Sequence, residues 1–225
     1  HIAPASQWSD GQTPVAAAGL TVRAFATGLQ HPRWMLVLPN GDVLVAEAEA
    51  PSDRPGNSRG FRRFFQQQIM RWAGSGAGQN ANRISLMRDT DGDGISDMRS
   101  TFLEGLFSPF GMALVDNTLY VANSDALLAF DYAEGATRLD GPGRKLVDLP
   151  AGSINRHWTK NVIPSRDGSK LYVTVGSNSN IGEAGMENEQ CRAAIWEVDR
   201  LTGEHRIFAS GLRNPTGLQW EPRTG

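Results

Sequence analysis

Short runs of alternating apolar and polar residues, each closed by a turn-forming cluster, recur along the 225-residue chain. Alternation at period two marks strands with one buried face, and Gly, Asn, Asp and Pro between them mark tight turns. The first pair is Trp34-Met35-Leu36-Val37-Leu38, the turn Pro39-Asn40-Gly41-Asp42, and Val43-Leu44-Val45-Ala46. A second pair runs from Gly111-Met112-Ala113-Leu114 through Val115-Asp116-Asn117-Thr118 to Leu119-Tyr120-Val121-Ala122. The third joins Asn161-Val162-Ile163 to Leu171-Tyr172-Val173-Thr174-Val175 across Pro164 to Gly168, and a fourth begins at Gly217-Leu218-Gln219-Trp220. A Gly-Leu or Leu-Pro precedes each copy, at Gly28-Leu29, Gly105-Leu106, Leu149-Pro150 and Gly211-Leu212.

Between these hairpins lie further strand-like pairs, such as Ala193 to Asp199 and Glu204 to Phe208 around Arg200-Leu201-Thr202-Gly203. Four strands per unit, with a period of roughly 50 residues, predict an all-β fold of four-stranded antiparallel blades, each burying its faces only against its neighbours. That is a β-propeller, of which about three and a half blades are present, in a ring class that closes with four to eight. The chain is expected to be the N-terminal part of a longer propeller whose other blades are missing or sit in another chain; a small complete open sandwich is the alternative. Residues 1–18, rich in Ala, Pro, Ser and Gln, read as a loose leader, and residues 19–225 as one propeller domain. An insertion near residues 50–82 places Phe61, Phe65, Ile69 and Trp72 at helical spacing among Arg59, Arg62, Arg63 and Arg71. It predicts an amphipathic helix that caps the core, with a membrane-surface or redox-partner contact as the alternative.

Charge narrows the partners. Lys and Arg number 22 against 24 Asp and Glu, a net charge of -2, so no overall positive field exists to hold nucleic acid or an anionic membrane. No run approaches the ~20 apolar residues of a spanning helix. Cys191 is the only cysteine, so no internal disulfide can form.

A circular repeat turns equivalent positions into neighbours. The loops leading into the innermost strands carry His31-Pro32, Ser108-Pro109, Arg156-His157 and Asn214-Pro215, and should rim one mouth of the channel, where propellers carry their sites. Two stretches there carry a family likeness. Gly211-Leu212-Arg213-Asn214-Pro215-Thr216-Gly217-Leu218 resembles the Gly-Leu-Arg-Asn-Pro segment of soluble pyrroloquinoline quinone (PQQ) dependent glucose and aldose sugar dehydrogenases, in which the Arg and Asn lie against the quinone. Asn155-Arg156-His157-Trp158-Thr159-Lys160-Asn161, followed by the run from Gly168 to Asn180, is similar to the sorbosone dehydrogenase branch.

The resemblance implies a six-bladed ring when complete, PQQ and calcium as cofactors, a periplasmic or secreted location, and an electron acceptor such as a cytochrome or quinone. It implies His157 as general base on a sugar or sugar-aldehyde hydrate, Arg213 beside the quinone carbonyls, and Asn214 holding the cofactor by hydrogen bonds. This chain departs from the glucose-oxidising branch in one respect: where a carboxylate orients the catalytic His there, Ser177 and Asn178 stand here. Further cofactor-binding segments lie in the family beyond the position of Gly225, so this segment alone is expected not to hold PQQ tightly.

Asp89-Thr90-Asp91-Gly92-Asp93-Gly94-Ile95-Ser96-Asp97 places carboxylates at alternate positions with glycines where a turn around a hard cation needs them. Asp89, Asp91, Asp93 and Asp97 are candidate ligands of a structural calcium, against a solvated acidic turn; Ser100 stands where an EF-hand has its bidentate Glu. Two other functions stay open: a calcium-dependent propeller hydrolase of the lactonase kind, disfavoured because the mouth loops named above carry no Asp or Glu, and a non-catalytic binding propeller.

Overall fold

The structure is a computed structural model, and it describes residues 12–51, 81–152 and 154–224. Among the described residues, twelve strands form three four-stranded antiparallel sheets. The first sheet holds β1 (Pro32–Val37), β2 (Val43–Glu47), β3 (Arg83–Arg88) and β4 (Met98–Leu103). The second holds β5 (Met112–Val115), β6 (Thr118–Ala122), β7 (Ala126–Asp131) and β8 (Arg144–Asp148). The third holds β9 (Val162–Pro164), β10 (Lys170–Val175), β11 (Ala194–Asp199) and β12 (His205–Ala209). Strand order within each sheet follows the chain, so each sheet is a meander, and β5 packs beside both β1 and β9 along the inner edge. This is the predicted all-β blade architecture, a partial β-propeller. Among the described residues the one helical element is a 3-10 turn, Met186–Glu189. The expected helix near residues 50–82 falls almost wholly outside the described residues, as does most of the leader.

Two apolar layers hold the blades together. Leu44, Ile84, Leu86, Phe102, Leu119, Val121 and Phe130 join the first blade to the second. Leu127, Ala129, Leu171, Val173, Val175 and Trp196 belong to the layer between the second and third. Each central strand packs on both of its faces, which is why β6 and β10 are buried at nearly every position. Gly111 marks a close approach between blades. Its N–H donates to the Lys160 carbonyl at 2.9 Å, and a Cβ there would lie 2.6 Å from the Asn161 Cα and the Val162 nitrogen.

The lead-in loops repeat in detail as well as in register. His31 and Ser108, at matching places in the first two blades, both take left-handed backbone conformations, with φ of 49° and 46°. Aromatic rings then bridge the blades just past these loops: Trp34 meets Phe110 at 5.4 Å between centroids, and Phe110 meets the edge of Trp158 at 6.4 Å.

The fourth copy differs from its alternating pattern. Gly217 to Trp220 forms no strand, because a ladder needs a second strand beside it and no described segment pairs with this one. The segment still docks on the third blade: the Arg213 carbonyl accepts from Ser177 N–H at 2.7 Å, the Thr216 carbonyl from Asn161 Nδ2 at 2.9 Å, and Trp220 Nε1 donates to the Pro164 carbonyl at 2.7 Å.

Candidate functional site

In a meander, successive connections alternate ends. The lead-in loops therefore share one end with the β2–β3, β6–β7 and β10–β11 connections, while the inner hairpin turns and the β3–β4 loop lie at the other. The hydrogen bonds follow this division. Asn155 Nδ2 donates to Ser124 Oγ on the β6–β7 connection at 3.0 Å, and Arg156 N–H donates to the Asn178 carbonyl on the β10–β11 connection at 3.0 Å.

His157, Asn214 and Arg213 converge on one stretch, residues 176–180. A Cβ on Gly176 would lie 2.4 Å from the His157 Cβ and 2.9 Å from the Asn214 Oδ1, so both residues crowd a position that only glycine fits. Arg213 donates from Nε to the Asn180 carbonyl at 2.9 Å and from Nη2 to Asn180 Oδ1 at 3.1 Å. His157 is 8% exposed, whereas Arg213 and Asn214 stand in solvent.

The imidazole is oriented by Ser177, one of the two residues standing where the resemblance implies a carboxylate. His157 Nδ1 lies 3.0 Å from the Ser177 carbonyl and 2.8 Å from Ser177 Oγ. A carbonyl only accepts, and Ser177 Oγ gives its hydrogen to the Ser179 carbonyl at 2.7 Å. This arrangement fits a neutral imidazole that carries its proton on Nδ1 and its basic lone pair on Nε2. The resemblance left the orientation of His157 without a group to secure it; a serine supplies one through its backbone and hydroxyl.

Residues with no sequence signal complete the mouth. Glu189, in the 3-10 turn, accepts from Asn178 N–H at 2.6 Å, Ser179 N–H at 2.9 Å and Ser179 Oγ at 2.7 Å. Burial alone would raise its carboxyl, but these three bonds, with the Arg192 charge, outweigh it and hold the group below the ordinary range. Arg192 donates to Asn155 Oδ1 at 3.0 Å and to the Ala151 carbonyl at 3.1 Å. Lys160 is 0% exposed and its Nζ has no hydrogen-bond partner among the described residues. Burial first, and the Arg192 charge second, push that amine down to about 7. Nothing in Trp-Thr-Lys-Asn marks this lysine as interior.

The mouth also carries acids that the lead-in loops themselves lack. His31 Nε2 sits 2.7 Å from Glu49 Oε1 on the β2–β3 connection, and Arg156 Nε sits 3.4 Å from Glu183 Oε1 on the β10–β11 connection. The argument against a hydrolase from missing acids therefore fails, because the other connections at this end supply them.

The candidate calcium loop lies at the opposite end. Asp89, Asp91 and Asp93 bring one carboxylate oxygen each within 4.8 Å of one another. Asp97 stands outside this trio and accepts from Thr90 N–H at 3.1 Å and from its hydroxyl. Amide bonds from Gly94 and Gly92 hold Asp89 ionised below its ordinary range. An ion held here would brace the β3–β4 hairpin, far from His157.

Four-stranded antiparallel blades set side by side define a partial β-propeller, and an imidazole and several cationic groups gather at one end of it. The TrAA12-like family model matches residues 78–225, and the chain belongs to that family. Among solved structures it is similar to the holo form of the PQQ domain of pyranose dehydrogenase from Coprinopsis cinerea, at 18% identity and TM-score 0.60, covering 87% of this chain and 42% of that one. It is similar also to the calcium structure of the family AA12 carbohydrate-active enzyme from Trichoderma reesei, at 19% identity and TM-score 0.56, covering 83% and 39%. The PQQ-bound aldose sugar dehydrogenase from Streptomyces coelicolor shares 16% identity at TM-score 0.50, covering 80% and 48%. The chain thus spans less than half the length of these structures, and at such identities the likeness establishes the fold. No curated protein matches the chain. The likeness to the PQQ-dependent sugar dehydrogenase family read from the sequence stands at the level of that family.

Proposed function

We propose that the whole propeller is a PQQ-dependent oxidoreductase that oxidises an aldose or a sugar-derived aldehyde such as sorbosone. The observation that carries this reading is His157, held with Nδ1 protonated and Nε2 basic, beside Asn214 and Arg213 at one opening. The donor set suits a quinone that bears carboxylates: Arg156, Arg192 and Arg213 cluster at the mouth, and the buried Lys160 ammonium has no partner among the described residues. Arg213 and Asn214 are the residues of this chain that would hold it. The chemistry PQQ supplies when bound is acceptance of a hydride equivalent at its quinone carbonyls.

His157 Nε2 takes the hydroxyl proton of the bound sugar as the C–H bond breaks, and its Nδ1–H remains bonded to Ser177. Arg213, fixed on Asn180, offers its guanidinium to negative charge that grows at the mouth. The enzyme would work in the periplasm or outside the cell and pass electrons to a cytochrome or quinone.

The test is reconstitution of the full-length protein with PQQ and calcium, followed by dye reduction with a panel of aldoses and sorbosone. Reduction that requires PQQ, and falls at least tenfold in Arg213→Ala as lost transition-state charge stabilisation predicts, supports the reading. Lactone hydrolysis with calcium alone, and no dye reduction, would overturn it. The calcium at Asp89, Asp91 and Asp93 is proposed as structural. Calcium should raise the melting temperature of the protein, and Asp91→Ala should abolish that rise without changing dye reduction at saturating PQQ. A melting curve indifferent to calcium would leave the loop as a solvated turn.

A further inference from the structure

His157 sits against a peptide whose other side is gripped by a carboxylate. In a trans peptide the C=O and the following N–H point in opposite directions, so fixing one aims the other. The peptide between Ser177 and Asn178 has its N–H on Glu189 Oε2 at 2.6 Å and its C=O 3.0 Å from His157 Nδ1. The next peptide repeats the arrangement: its N–H meets Glu189 Oε1 at 2.9 Å, and its C=O accepts from Arg156 N–H at 3.0 Å. Ser179 Oγ adds a third bond to the same carboxylate. Glu189 therefore holds two consecutive amides from behind while their carbonyls face the loop that carries the imidazole.

We propose that Glu189 is a positioning residue for His157, acting through the Ser177–Asn178 peptide as the remote carboxylate partner of the imidazole. This rests on the reading of His157 as the base. A carboxylate bonded to an amide N–H polarises that peptide and makes its carbonyl a stronger acceptor, as in any hydrogen-bond chain in a low-dielectric interior. The negative charge reaches Nδ1–H one peptide removed, where a direct carboxylate would touch it. Of the other charged groups of the mouth, Arg156 faces Glu183 and Arg213 bonds Asn180, while Arg192 bonds Asn155 and the Ala151 carbonyl and its charge also acts on Glu189, helping to keep that carboxyl ionised. Lys160 lies buried near Arg192. Glu189→Gln keeps the shape of the side chain but removes its charge and turns one acceptor into a donor, which cannot accept from either amide.

The experiment reads the imidazole itself. In full-length protein labelled with 15N-histidine, the His157 resonances, assigned with His157→Gln, should show the Nδ1–H tautomer. In Glu189→Gln the fraction of that tautomer should drop, and Glu189→Asp should restore it in part, with melting temperature and far-ultraviolet circular dichroism near those of the parent. The kcat for sugar oxidation should fall about tenfold in Glu189→Gln, the lower end for outer partners of functional imidazoles, with KM changed little. An unchanged tautomer in both Glu189→Gln and Glu189→Ala, whatever happens to stability, overturns the relay. If the tautomer responds while His157→Gln stays fully active, the relay stands and the general-base reading falls.

Discussion

His157→Gln should lower kcat for sugar oxidation by roughly 10²- to 10⁴-fold, the usual worth of a positioned general base. Glutamine fits the 8%-exposed space left by the ring, and its amide N–H can still meet the Ser177 carbonyl, so the β10–β11 connection keeps its shape. What it lacks is a basic nitrogen opposite that donor. Cofactor binding, followed by PQQ absorbance, should change little, because Asn214 and Arg213 stay on the Gly176–Asn180 stretch. A variant that binds PQQ and turns over at the parental rate would place the proton acceptor elsewhere, with Glu49 beside His31 and Glu183 beside Arg156 the next groups to test.

Lys160→Met should stabilise the protein, most strongly at pH 7 and below. The buried amine is pushed from 10.5 to about 7, because the interior disfavours the ammonium and Arg192 repels it. The unfolded chain therefore binds more protons than the folded one between about pH 7 and the unfolded value, and stability rises with pH across that window. Below pH 7 the penalty is complete, roughly 5 kcal/mol for a shift of this size; above pH 10.5 it is absent. Methionine fills similar volume without a charge. Urea unfolding should thus give a variant more stable at pH 7, by a few kcal/mol, with the gain shrinking toward pH 10. A variant less stable than the parent at pH 7 would mean that the ammonium has a compensating partner in the assembled protein.

The blades were legible because period-two alternation and turn residues are local properties, and each hairpin reads its own partner from the chain beside it. Strands β1, β2, β5, β6, β9 and β10 fall within a residue or two of the runs that predicted them. The fourth copy shows the limit of that signal: Gly217 to Trp220 alternates as the others do, yet a ladder requires a second strand, and the segment bonds to the third blade by isolated carbonyls and one indole. The Asp89 loop was legible as a cation-like turn, but its distance from the mouth followed only from counting connections in the meander.

The site divides along the same line. Convergence of His157 with Asn214 and Arg213 was implied in the chain, since a circular repeat sends matching positions to one rim. The orienting group was not. Glu189 lies in a short 3-10 turn twelve positions past Ser177, and its grip on two amides depends on loop backbone geometry that no spacing rule encodes. The burial of Lys160 was equally hidden, because a lysine before a strand reads as solvated until a neighbouring blade, crossing at Gly111, closes over it.

The amino-acid sequence by itself determined the blade repeat, the antiparallel pairings within each sheet and the family to which the chain belongs, since these follow from short-range alternation and two contiguous motifs. Only the tertiary structure decided which nitrogen of His157 is basic, which carboxylate stands behind it and which lysine is sealed from water. Those properties depend on the direction of single peptide planes and on the approach of one blade to the next, and both are set by contacts between residues far apart in the chain.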